Sequence, residues 1–218
     1  MTTAEAAGRL HVSQRQIQRL ISSGEVPARR TAGDAWVLDA LAVNSLARSR
    51  PSRGRPWSAE VAWGALWMLS GLEAGWVDAR TRSRLSSRLD GMDAADVVHA
   101  CRRRAEVVRC RVSESFLDDL RNTLVQSGTS AAEQFGLAGD STRVEGYCSA
   151  DAWPGVRSTF HVAEDARGNA TIRVTAFTDV LPDPGASMPK AAVAVDLAES
   201  YEAHERNAGL RALGELLA

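Results

Sequence analysis

Long apolar runs are absent from this sequence, which nowhere approaches the ~18 consecutive apolar residues of a membrane-spanning helix. The chain begins with helix signals instead of a charged and then apolar leader. We therefore expect a cytoplasmic protein with no membrane partner. With 44% hydrophobic residues among 218, the chain is long enough for one large domain or two to three small ones.

Cysteine is also scarce. The three cysteines, Cys101, Cys110 and Cys148, are widely spaced and include no CxxC pair. This spacing excludes a disulfide framework and a zinc knuckle. We expect three buried free thiols, no metal and no cofactor.

Enzyme signatures are missing as well. The sequence contains no HExxH, no GxSxG and no glycine-rich phosphate loop, and its four histidines are scattered singly. Four carboxylates gather near the carboxyl end, but spacing alone does not establish a metal site, and a solvated acidic face is the simpler interpretation. They are Asp196, Glu199, Glu202 and Glu205. We expect no enzymatic activity.

The charge distribution is uneven, although the net charge is only -1. Residues 1–112 contain 18 arginines and 11 acidic residues, whereas residues 113–218 contain 8 basic and 16 acidic residues. The first half is therefore suited to a polyanion, which the second half repels.

Two short helices are predicted at the amino terminus. Thr2 and Glu5 have the spacing of a capping box, and the helix they begin ends near Leu10. Ser13 and Gln16 form a second such pair two residues later. The pattern indicates two capped helices separated by a tight turn.

The second helix is strongly amphipathic. Ile17, Leu20 and Ile21 share its inner face, and Gln14, Arg15, Gln18 and Arg19 share the opposite face. Amides and guanidiniums bond bidentately to adenine and guanine edges, as the recognition helix of a DNA-binding protein does. A plain solvated face is the alternative.

A wing follows in the sequence. Gly24 is placed to end the helix, Val26-Pro27 forces extended backbone, and residues 32–34 offer a turn. Arg29 and Arg30 on the ascending strand are candidates for phosphate or minor-groove contacts, or are two solvated arginines. Asp39 then caps a third helix, whose Leu41, Val43 and Leu46 are expected to close the core.

The string TTAEAAGRLHVSQRQIQRLISSGEVPARR resembles the excisionase and MerR-like winged helix-turn-helix family over residues 2 to about 47. The resemblance implies that seven residues face DNA: Ser13, Gln14, Arg15, Gln18, Arg19, Arg29 and Arg30.

A domain boundary is predicted next. Residues 48–56 contain four arginines and two prolines without an apolar residue, as in an exposed basic linker that either solubilises the chain or follows DNA. We expect a winged helix-turn-helix domain at 1–47, this linker at 48–56, and an α+β domain at 57–218. The alternative to a single domain there is two subdomains, 57–140 and 141–218.

The middle region is predicted to be mainly helical. Trp57, Trp63 and Trp67 accompany an amphipathic helix capped by Ser58, and they indicate either core packing or a protein-protein hot spot. A helix containing Arg82, Arg84, Leu85, Arg88 and Leu89 follows, and another runs from Asp93 into Arg102-Arg103-Arg104. The triplet is explained by its place at a helix carboxyl end, although it also has the charge to extend a basic surface.

The carboxyl-terminal region combines a small sheet with helices. Strands are predicted at 106–112, 144–148, 158–163 and 170–175, and helices at 113–120, 191–197 and 208–217. The predicted fold class is therefore α+β, with a winged helix-turn-helix followed by a mixed helical and small-sheet domain.

A second resemblance spans most of the chain. The strings RPWSAEVAWGALWMLSG at 55–71, GNATIRV at 168–174 and AVDLAES at 194–200 resemble actinobacterial regulators grouped with AbiEi-type antitoxins. In that family, DNA binding autoregulates an operon, and the back domain neutralises a nucleotidyltransferase-like toxin. The amino-acid sequence of the winged domain here differs from that of the usual AbiEi form.

The sequence thus favours a transcriptional regulator that binds its own promoter as double-stranded DNA, as a dimer or in paired copies. Its expected partner is a cognate toxin, whose basic surface the acidic second half would oppose. Two alternatives remain at this point: a ligand-responsive repressor with a small-molecule-binding carboxyl-terminal domain, and an enzyme with an unrecognised carboxyl-terminal active site.

Overall fold

A computed structural model describes residues 1–10, 12–31, 33, 35–48 and 55–218. The chain divides into two compact units, Met1–Arg50 and Pro51–Ala218. Helices and strands occur in both, so the expected α+β class is confirmed. The boundary falls inside the predicted basic linker, of which residues 49–54 lie outside the described residues, as do two of the three predicted turn residues at 32–34.

The first unit contains three helices and a two-stranded antiparallel sheet. In chain order these are α1 (Thr3–Leu10), α2 (Gln14–Ser22), β1 (Ala28–Arg30), β2 (Trp36–Leu38) and α3 (Ala40–Arg48). Residues buried in its core come from every helix and from β2, and they are Ala6, Ala7, Ile17, Val26, Leu38 and Val43.

The predicted capping interactions position these helices. The Thr2 and Glu5 pair bonds reciprocally: the Thr2 N–H donates to Glu5 Oε2 at 2.8 Å, and the Glu5 N–H donates to Thr2 Oγ1 at 3.2 Å. At the other end of the unit, Asp39 Oδ1 accepts a bond of 2.9 Å from the Ala42 N–H. Gly24 follows α2 with φ +73°, the left-handed conformation expected for a stop.

One predicted core residue is not in the core. The Leu41 side chain is 43% exposed, whereas Ala42 and Val43 beside it are buried. Leu41 therefore lies outside the inward face of α3, whereas Val43 with the partly buried Leu46 closes the core as predicted.

The second unit begins with helices and continues into a mixed region. Its elements are α4 (Ala59–Leu69), α5 (Ala79–Leu89), α6 (Ala94–Cys101), β3 (Glu106–Arg111), α7 (Leu117–Thr123), β4 (Val125–Gln126), β5 (Val144–Ser149), α8 (Trp153–Thr159), β6 (Ala163–Glu164), β7 (Ala170–Thr175), α9 (Lys190–Ala198) and α10 (Ala203–Leu216). Short 3-10 helices occupy Glu114–Phe116, Gly128–Phe135 and Thr178–Val180.

The five strands form one sheet in the order β4-β5-β7-β3-β6. The central pair, β5 and β7, is parallel, and the other neighbours are antiparallel. Because β3 and β4 precede residue 140 and pair with strands that follow it, residues 57–140 and 141–218 share one sheet. The second unit does not separate at residue 140.

The segment predicted as a strand at 158–163 instead contains the end of a helix and the turn that follows it. Residues 153–159 form α8, with Pro154 in its first turn, and only Ala163 and Glu164 are in a strand. Parallel strands require a crossover, which α8 supplies between β5 and β7. His161, expected on a strand, has φ +47° in the turn after α8.

The tryptophans pack in the core of the second unit. Trp57 and Trp63 are 6% and 0% exposed, and Trp67 packs edge-on to Trp63 with ring centroids 5.8 Å apart. The core-packing interpretation therefore holds for Trp57 and Trp63, and Trp67 is half-buried against the same cluster.

All three cysteines are free and buried, as predicted. Among the described residues, none of the helices combines the length and apolar composition needed to cross a bilayer.

Candidate nucleic-acid interface

The outer face of α2 is the best candidate interface in the first unit. Gln14, Arg15, Gln18 and Arg19 are all exposed, while Ile17 is completely buried beneath them. Residues four apart lie above one another on a helix, so these side chains form two adjacent polar pairs along the exposed face. The structure therefore brings the predicted amide and guanidinium groups together on one accessible surface.

Ser13 determines where this surface begins. Its backbone is extended, with φ -72° and ψ 154°, and its Oγ accepts a hydrogen bond of 3.3 Å from the Gln16 N–H. This is the N-cap role predicted for Ser13. Since its hydroxyl is exposed, Ser13 caps the helix while its O–H proton is left for another acceptor.

The β1–β2 hairpin presents Arg29 and Arg30, both exposed. Arg30 pairs with Trp36 across the two strands, and its guanidinium carbon lies 4.9 Å from the centre of the Trp36 ring. Close to the tip, the Thr31 N–H donates to the Ala35 carbonyl at 2.9 Å. A cation over an aromatic face has a preferred position, so Trp36 orients Arg30 on this hairpin.

The described carboxylates of the first unit accept hydrogen bonds from groups within three residues of them in the chain. Glu5 accepts a bond of 2.8 Å from the Thr2 N–H, Asp39 caps α3, and Glu25 accepts a bond of 3.0 Å from the Ser23 hydroxyl. Hydrogen bonds from Thr2 lower the pKa of Glu5, which keeps that carboxylate charged at its cap. Within the described ranges, Arg15, Arg19 and Arg29 have no ion-pair partner, which leaves their guanidiniums available to phosphates or bases.

The second unit contains a buried ion cluster that the sequence did not reveal. It consists of Arg104, Ser127, Glu145, Tyr147, Arg173, Asp196 and Glu199. Apart from Glu199, whose side chain is 20% exposed, every member is essentially inaccessible to solvent. The cluster lies between one face of the sheet, which supplies Glu145, Tyr147 and Arg173, and α9, which supplies Asp196.

Asp196 is the centre of this cluster. Its carboxylate accepts hydrogen bonds from Arg104, from Ser127 and, at 2.9 Å, from the Tyr147 hydroxyl, and its Oδ1 lies 3.0 Å from Arg173 Nε. Glu199 accepts two bonds from Arg104, of 3.0 and 2.7 Å. A buried carboxylate is tolerated only when it is paired and hydrogen-bonded in this way.

Burial and charge act in opposition on the pKa values of the cluster. Burial raises the pKa of Glu145, although Arg173 opposes the rise. Burial would also raise the pKa of Glu199, but the charge of Arg104 and the hydrogen bonds from it outweigh that effect and lower it. Burial raises the pKa of Tyr147 well above its usual value, so its hydroxyl stays protonated and donates to Asp196.

These contacts correct two expectations. The predicted solvated acidic face is wrong for Asp196 and Glu205, which are 0% and 3% exposed, and for the paired Glu199; Glu202 is exposed. Glu205 accepts bonds from Ser200 and, at 3.1 Å, from Arg143. Arg104 does not extend a basic surface at the end of α6, because its guanidinium is buried among these carboxylates.

The cluster is a poor active site because most of its polar atoms are already satisfied by one another; the exception is Arg173 Nε, which is buried without a hydrogen bond although Asp196 Oδ1 lies 3.0 Å away. In the part of the chain that the structure describes, no three potential metal ligands converge. Two open cavities in this unit have volumes of about 200 and 260 Å³, and the cluster residues line neither of them. Typical small-molecule sites are larger, ~300–1,000 Å³.

Comparison of the chain with protein-family models, with curated proteins and with solved structures found no match.

Proposed function

We propose that this protein is a transcriptional regulator whose first unit is a winged helix-turn-helix domain that reads double-stranded DNA. The observation that carries the proposal is the exposed face of α2, where two amides and two guanidiniums stand over a buried isoleucine. These groups match the donor and acceptor pattern of adenine and guanine in the major groove.

The arrangement around α2 supports this role. A short turn joins α1 to α2, as in a helix-turn-helix, and the β1–β2 hairpin follows in the position of a wing. Arg29 and Arg30 on that hairpin supply phosphate contacts, which fix the position of the domain without reading sequence. Together the two elements provide base contacts and backbone contacts.

We further propose that the regulator is the autoregulating antitoxin of a toxin-antitoxin pair in the cytoplasm, binding its own promoter in paired copies. The support is the resemblance of the second unit to AbiEi-type antitoxins and the acidic excess of residues 113–218. A nucleotidyltransferase-like toxin has a basic substrate surface, which acidic residues complement.

Fluorescence anisotropy with a labelled duplex from the region upstream of the gene tests DNA binding. Arg15→Ala or Gln14→Ala should weaken binding to the preferred sequence by ~1–3 kcal/mol and relax sequence preference. Arg29→Ala should weaken binding to all duplexes and reduce the salt slope by about 1. Arg211→Ala, an exposed arginine of the second unit, removes the same charge and serves as the control.

If neither kind of substitution changes binding relative to Arg211→Ala, the α2 assignment is wrong. Antitoxicity is tested separately, by expressing the neighbouring gene with and without this chain. Arg15→Ala should lose promoter repression and keep the neutralising activity, because α2 is not part of the second unit. Failure of the wild-type chain to restore growth would remove the antitoxin proposal and leave the DNA-binding proposal intact.

A further inference from the structure

Helix α5 has an unusual composition for a surface helix. Its eleven residues, Ala79–Leu89, include four arginines, three serines and a threonine but no carboxylate. Leu85 and Leu89 are buried, whereas Arg80, Arg84 and Arg88 are exposed. We call these three exposed residues the α5 arginine row.

The row is regular because its members are spaced four apart. Each step along an α-helix rises 1.5 Å, so the row extends over about 12 Å on one side of α5. Like charges at this spacing destabilise an isolated helix. Such a row costs some stability unless an external anion compensates for it.

The carboxylate that precedes α5 is engaged mainly by Thr81, and the charge of Arg84 is a smaller cause of its lowered pKa. Asp78 precedes α5 as its N-cap, and it accepts bonds from the Thr81 N–H at 2.9 Å and from the Thr81 hydroxyl at 2.6 Å. These hydrogen bonds lower the pKa of Asp78. In the described ranges, Arg80 and Arg84 form no ion pair with it or with any other carboxylate.

The fourth arginine of α5 has a different role. Arg82 donates to the carbonyls of Val77 and Ala74, at 3.2 and 3.5 Å, and so fastens α5 to the preceding turn. Arg88 lies with its guanidinium carbon 5.2 Å from the centre of the Trp57 ring, which limits where its charge can be placed. Arg82 thus anchors α5, the helix that presents the row, and the contact with Trp57 orients Arg88.

We propose that the α5 arginine row binds the phosphates of double-stranded DNA, as a second contact contributed by the otherwise acidic second unit. This inference rests on the proposed DNA-binding function. Guanidinium forks match phosphate oxygens bidentately, and a row of them follows a sugar-phosphate backbone without reading sequence.

The surroundings of the row favour duplex DNA over other polyanions. Binding to an anionic membrane requires apolar residues beside the basic ones, but α5 exposes serine and alanine next to its arginines. Sequence-specific binding to single-stranded RNA relies on exposed aromatic platforms, and α5 contains no aromatic residue. Hydroxyls and guanidiniums together are the usual contacts to duplex phosphates.

The test compares the full-length triple variant Arg80→Gln/Arg84→Gln/Arg88→Gln with a control that removes three exposed arginines elsewhere in the same unit, Arg157→Gln/Arg167→Gln/Arg211→Gln. Affinity for duplex DNA is measured by anisotropy between 50 and 200 mM salt. Each phosphate contact contributes about 0.9 to the slope of log K against log salt, so the α5 variant should lose up to about 2.7 of it. The control should keep the wild-type slope.

The outcomes separate this inference from the proposed function. If Arg15→Ala abolishes sequence preference while the α5 variant and the control have the same slope, the row is a solvated helix face and the inference fails alone. If no variant changes binding, both fail. If the α5 variant loses affinity for single-stranded RNA or anionic vesicles and not for duplex DNA, the assigned partner is wrong. Melting temperatures of both triple variants that are no lower than that of the wild-type chain confirm that folding is intact.

Discussion

The Arg104 guanidinium and the Asp196 carboxylate form an ion pair from which solvent is excluded, although 92 residues separate them in the sequence. Arg104 follows α6 and Asp196 lies on α9, so the pair joins the first helices of the second unit to its last ones. Tyr147, on the sheet, bonds to both residues. The pair is therefore an internal connection among three parts of the unit.

Removing the Asp196 carboxylate should destabilise the protein strongly. Asp196→Ala leaves Arg104 and Arg173 with one shared carboxylate, Glu199, in place of two, and breaking a buried pair in this way typically reduces the free energy of unfolding by ~3–5 kcal/mol. Urea denaturation of the full chain, followed by far-ultraviolet circular dichroism, measures the change.

Glu202→Ala is the matched control, because Glu202 lies on the same acidic segment but is exposed. Its effect should stay within about 0.5 kcal/mol. Similar midpoints for the two variants would show that the buried ion cluster contributes little to stability.

The sequence could not predict this cluster, for a physical reason. Asp196, Glu199 and Glu205 have the spacing of an ordinary solvated face, and their burial depends on arginines that are distant in the chain. Single-sequence patterns report local periodicity and carry no information about which distant side chain covers a face. The strand predicted at 158–163 is wrong for a different reason: the alternating residues there belong to the end of α8 and the turn after it, and the signal that indicates this helix, Pro154 in its first turn, is local.

Gly128 and Glu145 provide a second stability test. Gly128 has φ +50°, and the space that a Cβ would occupy there is filled by the Glu145 carboxylate, which accepts a 3.1 Å bond from the Thr129 N–H. Gly128→Ala should therefore combine backbone strain of ~1–2 kcal/mol with displacement of a buried charged group, which adds ~1–3 kcal/mol.

Gly136→Ala isolates the backbone component. Gly136 has φ +70°, but nothing lies within 4 Å of its added Cβ. It should lose only the ~1–2 kcal/mol of strain in the same urea titration. A Gly128→Ala variant as stable as Gly136→Ala would mean that Glu145 moves aside without penalty.

Local signals, by contrast, predicted the first unit well. The Thr2–Glu5 capping box, the left-handed Gly24 and the Asp39 cap all depend on residues within a few positions of one another, and each is found in the structure. Of the predicted Ser13–Gln16 box, the structure has the bond from the Gln16 N–H to Ser13 Oγ. Exposure of the α2 face followed from helical periodicity.

The three cysteines should be unreactive in the native protein. Burial raises the pKa of Cys101 and of Cys110 to about 12, and that of Cys148 to about 11. The thiolate is the nucleophile, so at pH 8 each residue is held almost entirely as the unreactive thiol. We expect a disulfide-exchange reagent such as dithionitrobenzoate to label no cysteine in buffer and all three in denaturing urea. Rapid labelling of one thiol under native conditions would show that its segment opens.

Trp36 should affect DNA binding through Arg30, without contacting DNA itself. If the ring orients the guanidinium, Trp36→Leu weakens binding by the value of an exposed cation-π contact, ~0.5–1 kcal/mol, and Trp36→Phe, which keeps an aromatic face, weakens it less. A double-mutant cycle with Arg30→Ala measures the coupling. In the Arg30→Ala background, replacing Trp36 by leucine should have almost no further effect on affinity, because the group it orients is gone. Additive losses would show instead that Trp36 acts independently of Arg30, either by contacting DNA directly or by stabilising the first unit, and thermal melting of the single variants distinguishes those two cases.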